Sequence, residues 1–255
     1  MDENLKSIRQ NLANFLKEVC EFQLNSRNFK VETKSSVVDF VTDIDKKSDE
    51  MIINFIQKNY PSHQILTEEH GVLGDENEWC WVVDPIDGTT NFIHGYPLHC
   101  ISIGLKFRGE AVLGMVALPV LGVKFHAIKG GGAFKDSEQI YVSKESKLEK
   151  SLIATGFPYS RATHNPNLPY FNKVINKIAG IRRSGSAAID LCFTAAGYTD
   201  AYFEFGINEW DYCAGKLILE EAGGKSYLRK FDNDKMFIFT NSCIDKELNN
   251  VLFNE

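Results

Sequence analysis

Apolar residues recur at helical spacing in two stretches near the N-terminus. In residues 3–22, from Leu5 to Val19, an apolar side chain returns every third or fourth position, which is typical of one buried helix face. The same spacing returns in residues 43–59 and stops before Pro61, because proline cannot continue a helix. The pattern therefore predicts two amphipathic helices.

Shorter apolar runs, bounded by glycines or polar turns, are typical of strands and follow these helices. The predicted strands of this stretch are residues 65–66, 79–83, 100–107, 111–118 and 122–128. The turn Arg-Gly-Glu at 108–110 predicts an antiparallel hairpin. Three glycines at 130–132 lack the Gly-Lys-Ser/Thr of a phosphate loop, so we interpret them as a turn.

The pattern changes after a polar run at residues 135–150. The elements predicted beyond it are a strand at 151–155, helices at about 168–178 and 187–196, a strand at 200–205 and a helix at 211–222. The last helix stops at two glycines, a common helix end. We divide the chain into an N-terminal half, 1–145, and a C-terminal half, 146–255, which pack closely without a flexible linker.

The composition is that of an ordinary globular protein and narrows the function classes. Of the 255 residues, 44% are apolar and 24% are charged, and the net charge is −6. This charge disfavours general binding to nucleic acid or acidic membranes, which requires a basic surface. The first residues are charged, and no apolar run reaches the ~18–20 residues of a membrane span. Since the six cysteines show no paired spacing, we expect a reduced cytoplasmic protein.

The strongest chemical signal lies in residues 81–92. A buried-looking apolar run reaches Asp84 and then Pro85, which lacks a backbone N–H and is expected to end the strand. Asp87 follows, and after it comes Gly-Thr-Thr, a turn rich in backbone donors. Two acids at a strand end beside free N–H groups suit hard cations and a phosphate.

These motifs resemble those of the inositol monophosphatase family, whose members are Mg-dependent phosphomonoesterases. The segment Asp-Pro-Ile-Asp-Gly-Thr-Thr-Asn-Phe from Asp84 is similar to the first family signature, and Trp-Asp-Tyr-Cys-Ala-Gly from Trp210 is similar to the second. Thr-Glu-Glu at 67–69 resembles the metal-binding glutamate motif, and residues 34–42 resemble the mobile loop. The resemblance implies an α+β fold, a layered α-β-α-β-α sandwich of the sugar phosphatase type, in a lithium-sensitive homodimer.

The resemblance also implies a set of metal ligands. Glu68, Asp84 and the carbonyl oxygen of Ile86 would bind one Mg²⁺; Asp84, Asp87 and Asp211 would bind a second; and Glu68 would serve a third through a water. Two divalent cations would cancel four negative charges, which otherwise repel by about 4 kcal/mol per pair at ~4 Å and a dielectric of 20. An all-oxygen set favours Mg²⁺ over zinc. Taken singly, Asp87 and Asp211 are better explained as helix N-caps.

Thr89 and Asp39 are the predicted catalytic pair, and Glu68 is counted with them. The resemblance implies that the Thr89 hydroxyl, oriented by Asp39, accepts a proton from the metal-activated water. The N–H groups of Gly88, Thr89 and Thr90 are expected to hold the phosphate. The alternative is that Thr89 caps a helix and that Asp39 lies in a polar turn.

Substrate recognition is predicted on the C-terminal half. Glu204 matches the family position that accepts hydrogen bonds from polyol hydroxyls. Ser186 and Ala187, at a helix start, match residues that line the sugar side, and Asp211 is a further substrate contact. Lys34 would close the mobile loop over the metals. The alternatives are an exposed strand-end glutamate, an N-cap serine and a solvated lysine.

The predicted function is Mg²⁺-dependent hydrolysis of a small polyol or sugar monophosphate, with myo-inositol 1-phosphate as the leading substrate. Relatives that act on 3′-phosphoadenosine phosphates typically have lysine after Gly-Thr, where this chain has Thr90, so that class is disfavoured. Fructose 1,6-bisphosphate and histidinol phosphate stay open as substrates. A binding or regulatory protein without turnover is the alternative from another class, and the intact set of acids argues against it.

Overall fold

A computed structural model of the protein describes residues 2–26, 29–34, 39–159 and 163–253. Its helices are α1 (Asp2–Asn25), α2 (Asp43–Asn59), α3 (Thr89–Ile93), α4 (Leu168–Val174), α5 (Ala187–Ala195), α6 (Glu209–Glu221) and α7 (Asp245–Phe253). Its strands are β1 (Val31–Thr33), β2 (Phe40–Thr42), β3 (Gln64–Thr67), β4 (Gly71–Leu73), β5 (Trp79–Asp87), β6 (Cys100–Phe107), β7 (Glu110–Leu118), β8 (Val123–Ile128), β9 (Ala133–Lys135), β10 (Glu138–Ile140), β11 (Leu152–Thr155), β12 (Gly180–Arg182), β13 (Ala201–Phe205), β14 (Lys225–Lys230) and β15 (Lys235–Thr240). The predicted bounds of α2 and β6 are confirmed.

The fold is built around two large sheets, apart from the two-stranded pair β1–β2. The larger has eight strands in the order β10-β9-β8-β7-β6-β5-β3-β4, in which β3 and β5 run parallel and the other neighbours run antiparallel. The antiparallel β6–β7 hairpin predicted from the turn at 108–110 is confirmed. The smaller sheet has five strands in the order β12-β11-β13-β15-β14, and β11 runs parallel to both of its neighbours.

Apolar clusters on the faces of these sheets produce five layers. One cluster packs α1 and α2 on the outer face of the large sheet, with Leu12 and Ile52 at its centre. A second fills the space between the sheets, where α5 and α6 contribute Leu191 and Ile218. A third packs α4 and α7 on the small sheet. The order of layers is α-β-α-β-α, so the predicted α+β sandwich is confirmed.

The central cluster is shared by both predicted halves of the chain. It contains Val116 and Phe125 from the first half together with Leu191 and Ile218 from the second. One continuous core therefore joins the two halves. The division between residues 145 and 146 stays a prediction.

Helix α6 lies very close to the large sheet. A Cβ on Gly114 would lie 2.7 Å from the carbonyl oxygen of Ala214, and one on Gly104 would lie 2.5 Å from the sulfur of Cys213. Real Cβ atoms essentially never approach other atoms so closely, so both strand positions require glycine. The Ser102 hydroxyl also donates to the carbonyl oxygen of Trp210 at 3.2 Å. These contacts seat the first turn of α6 on the sheet.

Strand β5 continues past Pro85, so the prediction that proline ends this strand was wrong. Asp84 lies opposite Ser102, and Asp87 lies opposite Cys100, so three steps along β5 match two along β6. The additional residue makes a bulge, where the missing proline N–H removes no regular ladder bond. The bulge places Asp84 and Asp87 in one irregular strand end.

Other predicted boundaries shift for local reasons. The helix predicted at 168–178 is shorter and ends at Val174. Helix α6 starts at Glu209 instead of 211, because Asn208 begins the helix in a capping box. No helix in the described ranges is long and apolar enough to cross a membrane.

Candidate active site

The acids predicted to bind metal line one cavity of about 140 Å³. They come from β3, β5 and α6, which are distant in sequence. Most of the other predicted site residues line the same cavity, namely Ile86, Gly88, Thr89, Ser186, Ala187 and Glu204. Asp39, Lys34 and Thr90 are not among its lining residues. The fold therefore brings together the four predicted acids, which were chosen from separate motifs.

The bulge of β5 fixes the first of these acids. One carboxylate oxygen of Asp84 accepts a hydrogen bond from the backbone N–H of Ile86 at 3.0 Å, and the side chain is 2% exposed. Burial raises the pKa of Asp84 well above its usual value, and the nearby charges of Glu68, Asp87 and Asp211 raise it further. A buried carboxyl in this setting favours either a proton or a cation.

Asp87 is oriented by the start of α5. Its Oδ2 accepts hydrogen bonds from the Ser186 hydroxyl and from the Ala188 N–H, each at 2.7 Å. Burial raises the pKa of Asp87 to about 6, although these hydrogen bonds oppose the shift. Ser186 also caps α5, since its oxygen accepts from Ile189 N–H at 3.2 Å. The N-cap alternative is thus correct for Ser186, and the same hydroxyl holds a predicted metal ligand.

Asp211 lies in the first turn of α6 but is not its N-cap. It is the third residue of a capping box, and its Oδ2 accepts from the backbone N–H of Asn208 at 2.6 Å. The N-cap alternative for Asp211 is therefore wrong. For Asp87 it is wrong as well, because α3 begins after Gly88. Burial, together with Asp87, raises the pKa of Asp211 well above its usual value.

Glu68 follows β3 and is paired with Lys34. The Lys34 ammonium lies 2.8 Å from Oε1 of Glu68 and 2.5 Å from Oε1 of Glu69. Burial raises the pKa of Glu68 to about 7 even though the ammonium group opposes the shift. The remainder of the predicted mobile loop, residues 35–38, lies outside the described residues. Lys34 thus contacts the glutamate that is predicted to bind metal.

A buried acid that was not predicted from the sequence, Asp49, holds the turn that carries Glu68. Asp49 in α2 is fully buried, and its Oδ2 lies 2.8 Å from both the Thr67 hydroxyl and Nδ1 of His70. These contacts fix the residues immediately before and after the Glu68-Glu69 pair. Asp49 therefore positions a candidate metal ligand without lining the cavity.

Thr89 pairs with Asp45, so the predicted pairing with Asp39 was wrong. The Thr89 hydroxyl lies 3.0 Å from Oδ1 of Asp45 and 3.1 Å from the carbonyl oxygen of Ile86. Thr42 holds the other Asp45 oxygen, with its N–H at 2.8 Å and its hydroxyl also in contact. Burial raises the pKa of Asp45, although the Thr42 hydrogen bonds oppose this.

Asp39 lies before β2, where its carbonyl oxygen accepts from the N–H of Lys34 at 2.8 Å. A sequence signal for Asp45 was available, because Asp45, Ile52 and Ile56 fall on one face of α2 and all three are buried. An acid on the apolar face of a helix indicates a buried polar partner.

Gly88 allows the candidate phosphate loop to approach α5. Its φ is 98°, and a Cβ there would lie 3.1 Å from the carbonyl oxygen of Leu98 and 3.3 Å from that of Gly185. Only glycine tolerates this left-handed conformation together with such close neighbours. The start of α3, with Thr89 and Thr90, is thereby packed beside the start of α5.

Glu204 forms the β13 side of the cavity. Tyr202, on the same strand face, donates its hydroxyl to Oε2 of Glu204 at 2.6 Å. A Cβ on Gly156 would collide with this carboxyl group, so Glu204 packs directly on the Gly156 backbone. Burial raises the pKa of Glu204 to about 7, although the hydrogen bond from Tyr202 and the charge of Arg183 oppose the shift. Glu204 is thus a partly buried residue of the cavity wall, and the exposed-glutamate alternative is wrong.

The four predicted acids supply oxygen ligands of the kind that suits Mg²⁺. In the described part of the chain they are not yet arranged around one point. Among the described residues, no three His, Cys, Asp or Glu side chains form a group already able to hold a metal ion. Each of the four acids has a protein hydrogen-bond partner that orients its carboxyl group. The donors are carboxylate oxygens in one cavity, as Mg²⁺ prefers, so the residue types fit this ion.

Comparison with known proteins shows the family to which the chain belongs. The model of the inositol monophosphatase family matches residues 2–241, and the chain therefore belongs to this family. The family is metal-dependent, and curated relatives support phosphatase activity in the chain as well.

The more similar relatives carry two kinds of name. An inositol-1-monophosphatase of Synechocystis is 43% identical over 205 residues, which cover 80% of this chain and 71% of the relative. A Nus factor SuhB of Pasteurella multocida is 43% identical over 194 residues, covering 75% of this chain and 73% of the relative.

Solved structures agree with the fold. An inositol monophosphatase from Anabaena superposes with a TM-score of 0.87 at 35% identity, covering 98% of this chain and 97% of the other. The extragenic suppressor protein SuhB of Bartonella henselae superposes with a TM-score of 0.88 at 32% identity, covering 97% and 98%.

Proposed function

We propose that the protein is a Mg²⁺-dependent phosphomonoesterase that hydrolyses a small polyol or sugar monophosphate, with myo-inositol 1-phosphate as the leading substrate. The observation that carries this proposal is the cavity itself. It gathers Glu68, Asp84, Asp87 and Asp211 beside the Thr89–Asp45 pair and the partly buried Glu204. This combination offers cation ligands, a proton acceptor and a polyol contact within one site.

The carboxylates divide into metal ligands along the lines that the resemblance implies. Glu68, Asp84 and the Ile86 carbonyl would hold one Mg²⁺, and Asp84, Asp87 and Asp211 would hold another, with Glu68 serving a third through a water. When bound, these ions supply an activated water and stabilise charge on the attacking and leaving oxygens. Ser186 and Asn208 orient Asp87 and Asp211 by hydrogen bonds to one oxygen of each.

Thr89 and Asp45 move the proton. The attacking water gives its proton to the Thr89 oxygen, while Thr89 passes its own proton to Oδ1 of Asp45, 3.0 Å away. Burial of Asp45 raises its pKa and so makes its carboxylate a stronger proton acceptor. The N–H groups of Gly88, Thr89 and Thr90 would hold the phosphate oxygens.

Glu204 orients the polyol. The Tyr202 hydroxyl occupies Oε2, which leaves Oε1 to accept a hydrogen bond from a substrate hydroxyl. Ala187 lines the same cavity with a small apolar side chain. The homodimer, the inhibition by lithium and the cytoplasmic location belong to the proposal through the family resemblance; light scattering and a LiCl titration test the first two.

A phosphate-release assay tests the function. The substrates are phosphates of inositol, fructose, histidinol, glycerol and 3′-phosphoadenosine, each with and without Mg²⁺. We expect release that needs Mg²⁺, that is fastest with inositol 1-phosphate, and that is abolished in Asp84→Asn. Substrate turnover no faster than in the Asp84→Asn control would refute the enzyme proposal.

A second candidate function is the one named in several relatives. Proteins called Nus factor SuhB in Pasteurella multocida, Pseudomonas aeruginosa and Vibrio cholerae are 39–43% identical to this chain. A Nus factor role would be a binding function in transcription. It is tested by adding the purified chain, and separately its Asp84→Asn variant, to in vitro transcription. An effect on elongation that persists in Asp84→Asn would show a binding role independent of turnover.

A further inference from the structure

A sixth acid, Asp190, lines the cavity and belongs to none of the ligand sets described above. It lies in the first half of α5 and is 4% exposed. The same helix holds Asp87 through Ser186 and the Ala188 N–H, so its position relative to the candidate metal ligands is fixed. Buried acids are rare unless a partner or a function retains them.

Asp190 shares its side of the cavity with Glu204 and Arg183. Burial raises the pKa of Asp190 well above its usual value, although a hydrogen bond from the Ser184 hydroxyl opposes the shift, and the charge of Glu204 raises the pKa further. The Arg183 guanidinium, which also lines the cavity, favours the ionised forms of both acids. The α5 and β13 walls thus present two carboxyl groups with one cation nearby.

A role limited to holding α5 does not explain this carboxyl group. The helix already has Ser186 as its N-cap, and the Ser184–Gly185–Ser186 turn is closed by bonds between Ser184 and the Ser186 backbone. Within the helix, the contact of Asp190 with Thr194 uses the backbone carbonyl of Asp190 instead of its side chain. Ser186 therefore caps the helix without the Asp190 carboxyl group, which interacts with the Ser184 hydroxyl in the preceding turn and also faces the cavity.

We propose that Asp190 determines specificity by binding a second hydroxyl of the substrate, next to the one bound by Glu204. The pair selects phosphates of cyclic polyols with two neighbouring free hydroxyls over phosphates that carry fewer. This inference rests on the proposed phosphatase function. A buried acceptor that loses its hydroxyl partner is left unsatisfied, so substrates without that hydroxyl are rejected.

Asp190→Asn tests this selectivity with two substrates, inositol 1-phosphate and 4-nitrophenyl phosphate, which has no free hydroxyl on its ring. We expect kcat/KM for inositol 1-phosphate to fall about 10- to 100-fold, chiefly through KM, because a hydrogen bond to a charged group is lost. Turnover of 4-nitrophenyl phosphate should be nearly unchanged. The expected readout is therefore a change in the ratio of the two kcat/KM values.

Asp200→Asn is the matched control for loss of a buried acid. Asp200 is also buried but lies outside the cavity, where it accepts from the N–H of Leu152 at 2.8 Å. Its substitution should affect both substrates equally. The inference would be overturned if the ratio of the two kcat/KM values in Asp190→Asn equals that of the wild type. This holds both when the two activities fall together and when neither falls.

The proposed function and the role of Asp190 fail in different ways. Wild-type protein that releases phosphate from neither substrate in Mg²⁺ refutes the function. Wild-type protein that turns over both, with an unchanged ratio in Asp190→Asn, refutes only the role of Asp190. Thermal unfolding of each variant separates misfolding from altered recognition, since a folded variant with a changed ratio supports the inference.

Discussion

At the scale of single residues, the site depends on acids held by specific neighbours. Asp87 is held by Ser186 and Ala188, Asp211 by Asn208, and Asp45 by Thr42. These hydrogen bonds fall on one oxygen, Oδ2, of each acid, and in Asp45 the other oxygen accepts from the Thr89 hydroxyl. Such hydrogen bonds fix ligand orientation, and their removal typically weakens metal binding or activity.

The first prediction separates Asp45 from Asp39. Asp45→Asn should lower kcat by ~10²–10⁴-fold with little change in KM, because it removes the proton acceptor behind Thr89. Asp39→Asn should change kcat far less, since Asp45 is the acid that contacts the Thr89 hydroxyl. Steady-state kinetics with inositol 1-phosphate measure both. Equal losses in the two variants would contradict the assignment.

At the scale of elements, three local arrangements position the site. The bulge in β5 turns Asp84 and Asp87 toward the cavity, and the glycines of β6 and β7 let α6 approach. The adjoining starts of α3 and α5 place Gly88 beside Gly185. Each arrangement needs backbone geometry that an ordinary side chain would disturb.

The second prediction concerns the seat of α6. Gly114→Ala should lower the free energy of unfolding by about 1–3 kcal/mol, because its Cβ would collide with the Ala214 backbone, which cannot move aside. Since α6 carries Asp211, affinity for Mg²⁺ should fall as well. Urea denaturation and calorimetric Mg²⁺ titration measure the two effects.

Gly180→Ala provides the control for that substitution. Its Cβ would meet only the ends of two flexible side chains, those of Leu152 at 3.3 Å and Arg182 at 3.5 Å. It should cost less stability than Gly114→Ala and leave Mg²⁺ affinity unchanged. If both variants bound Mg²⁺ as the wild type does, the packing of α6 would not control the position of Asp211.

At the scale of the whole molecule, the fold concentrates buried negative charge in one place. Five layers bring acids from β3, β5, α5, β13 and α6 to one cavity, on a chain whose net charge is already −6. Burial raises the pKa values of Glu68 and Glu204 to about 7. Without cations, the folded protein therefore holds protons that the unfolded chain would have released.

The third prediction follows from this difference in bound protons. Glu68 and Glu204 have folded pKa values of about 7, above the unfolded value near 4.5, so the folded state binds more protons between these values. The stability of the metal-free protein should therefore fall as the pH rises from 6.5 to 8. Unfolding in urea with EDTA present measures this. Stability that rises over this range would contradict the assigned shifts.

Mg²⁺ should reverse this trend, because it replaces protons at the same carboxylates. The stabilisation by Mg²⁺ should be larger at pH 8 than at pH 6.5. The comparison stays above pH 6.5 because burial lowers the pKa values of His63, His99 and His126, and protonation of these groups destabilises the fold at lower pH. In Glu204→Gln the pH dependence should be flatter.

Local patterns predicted elements better than they predicted partners. The apolar spacing located α2 and β6 at their observed bounds, because each buries a regular face. Pro85 was misleading, since a bulge in β5 accommodates it. The partner of Thr89 is Asp45 instead of the predicted Asp39, and the place of Asp45 on the apolar face of α2 is the sequence signal that distinguishes the two acids.

The sequence by itself predicted most helices and strands from local spacing, and the resemblance of its motifs to a known family implied the α+β class and the set of acids at 68, 84, 87 and 211. Both can be recognised in the sequence because spacing and residue chemistry are local properties of the chain. Only the tertiary structure decided that Asp45 faces Thr89, that Ser186 holds Asp87, and that Asp190 joins Glu204 in one cavity. Those contacts join segments up to 99 residues apart. Distances between such segments depend on how the layers pack, which no local pattern specifies.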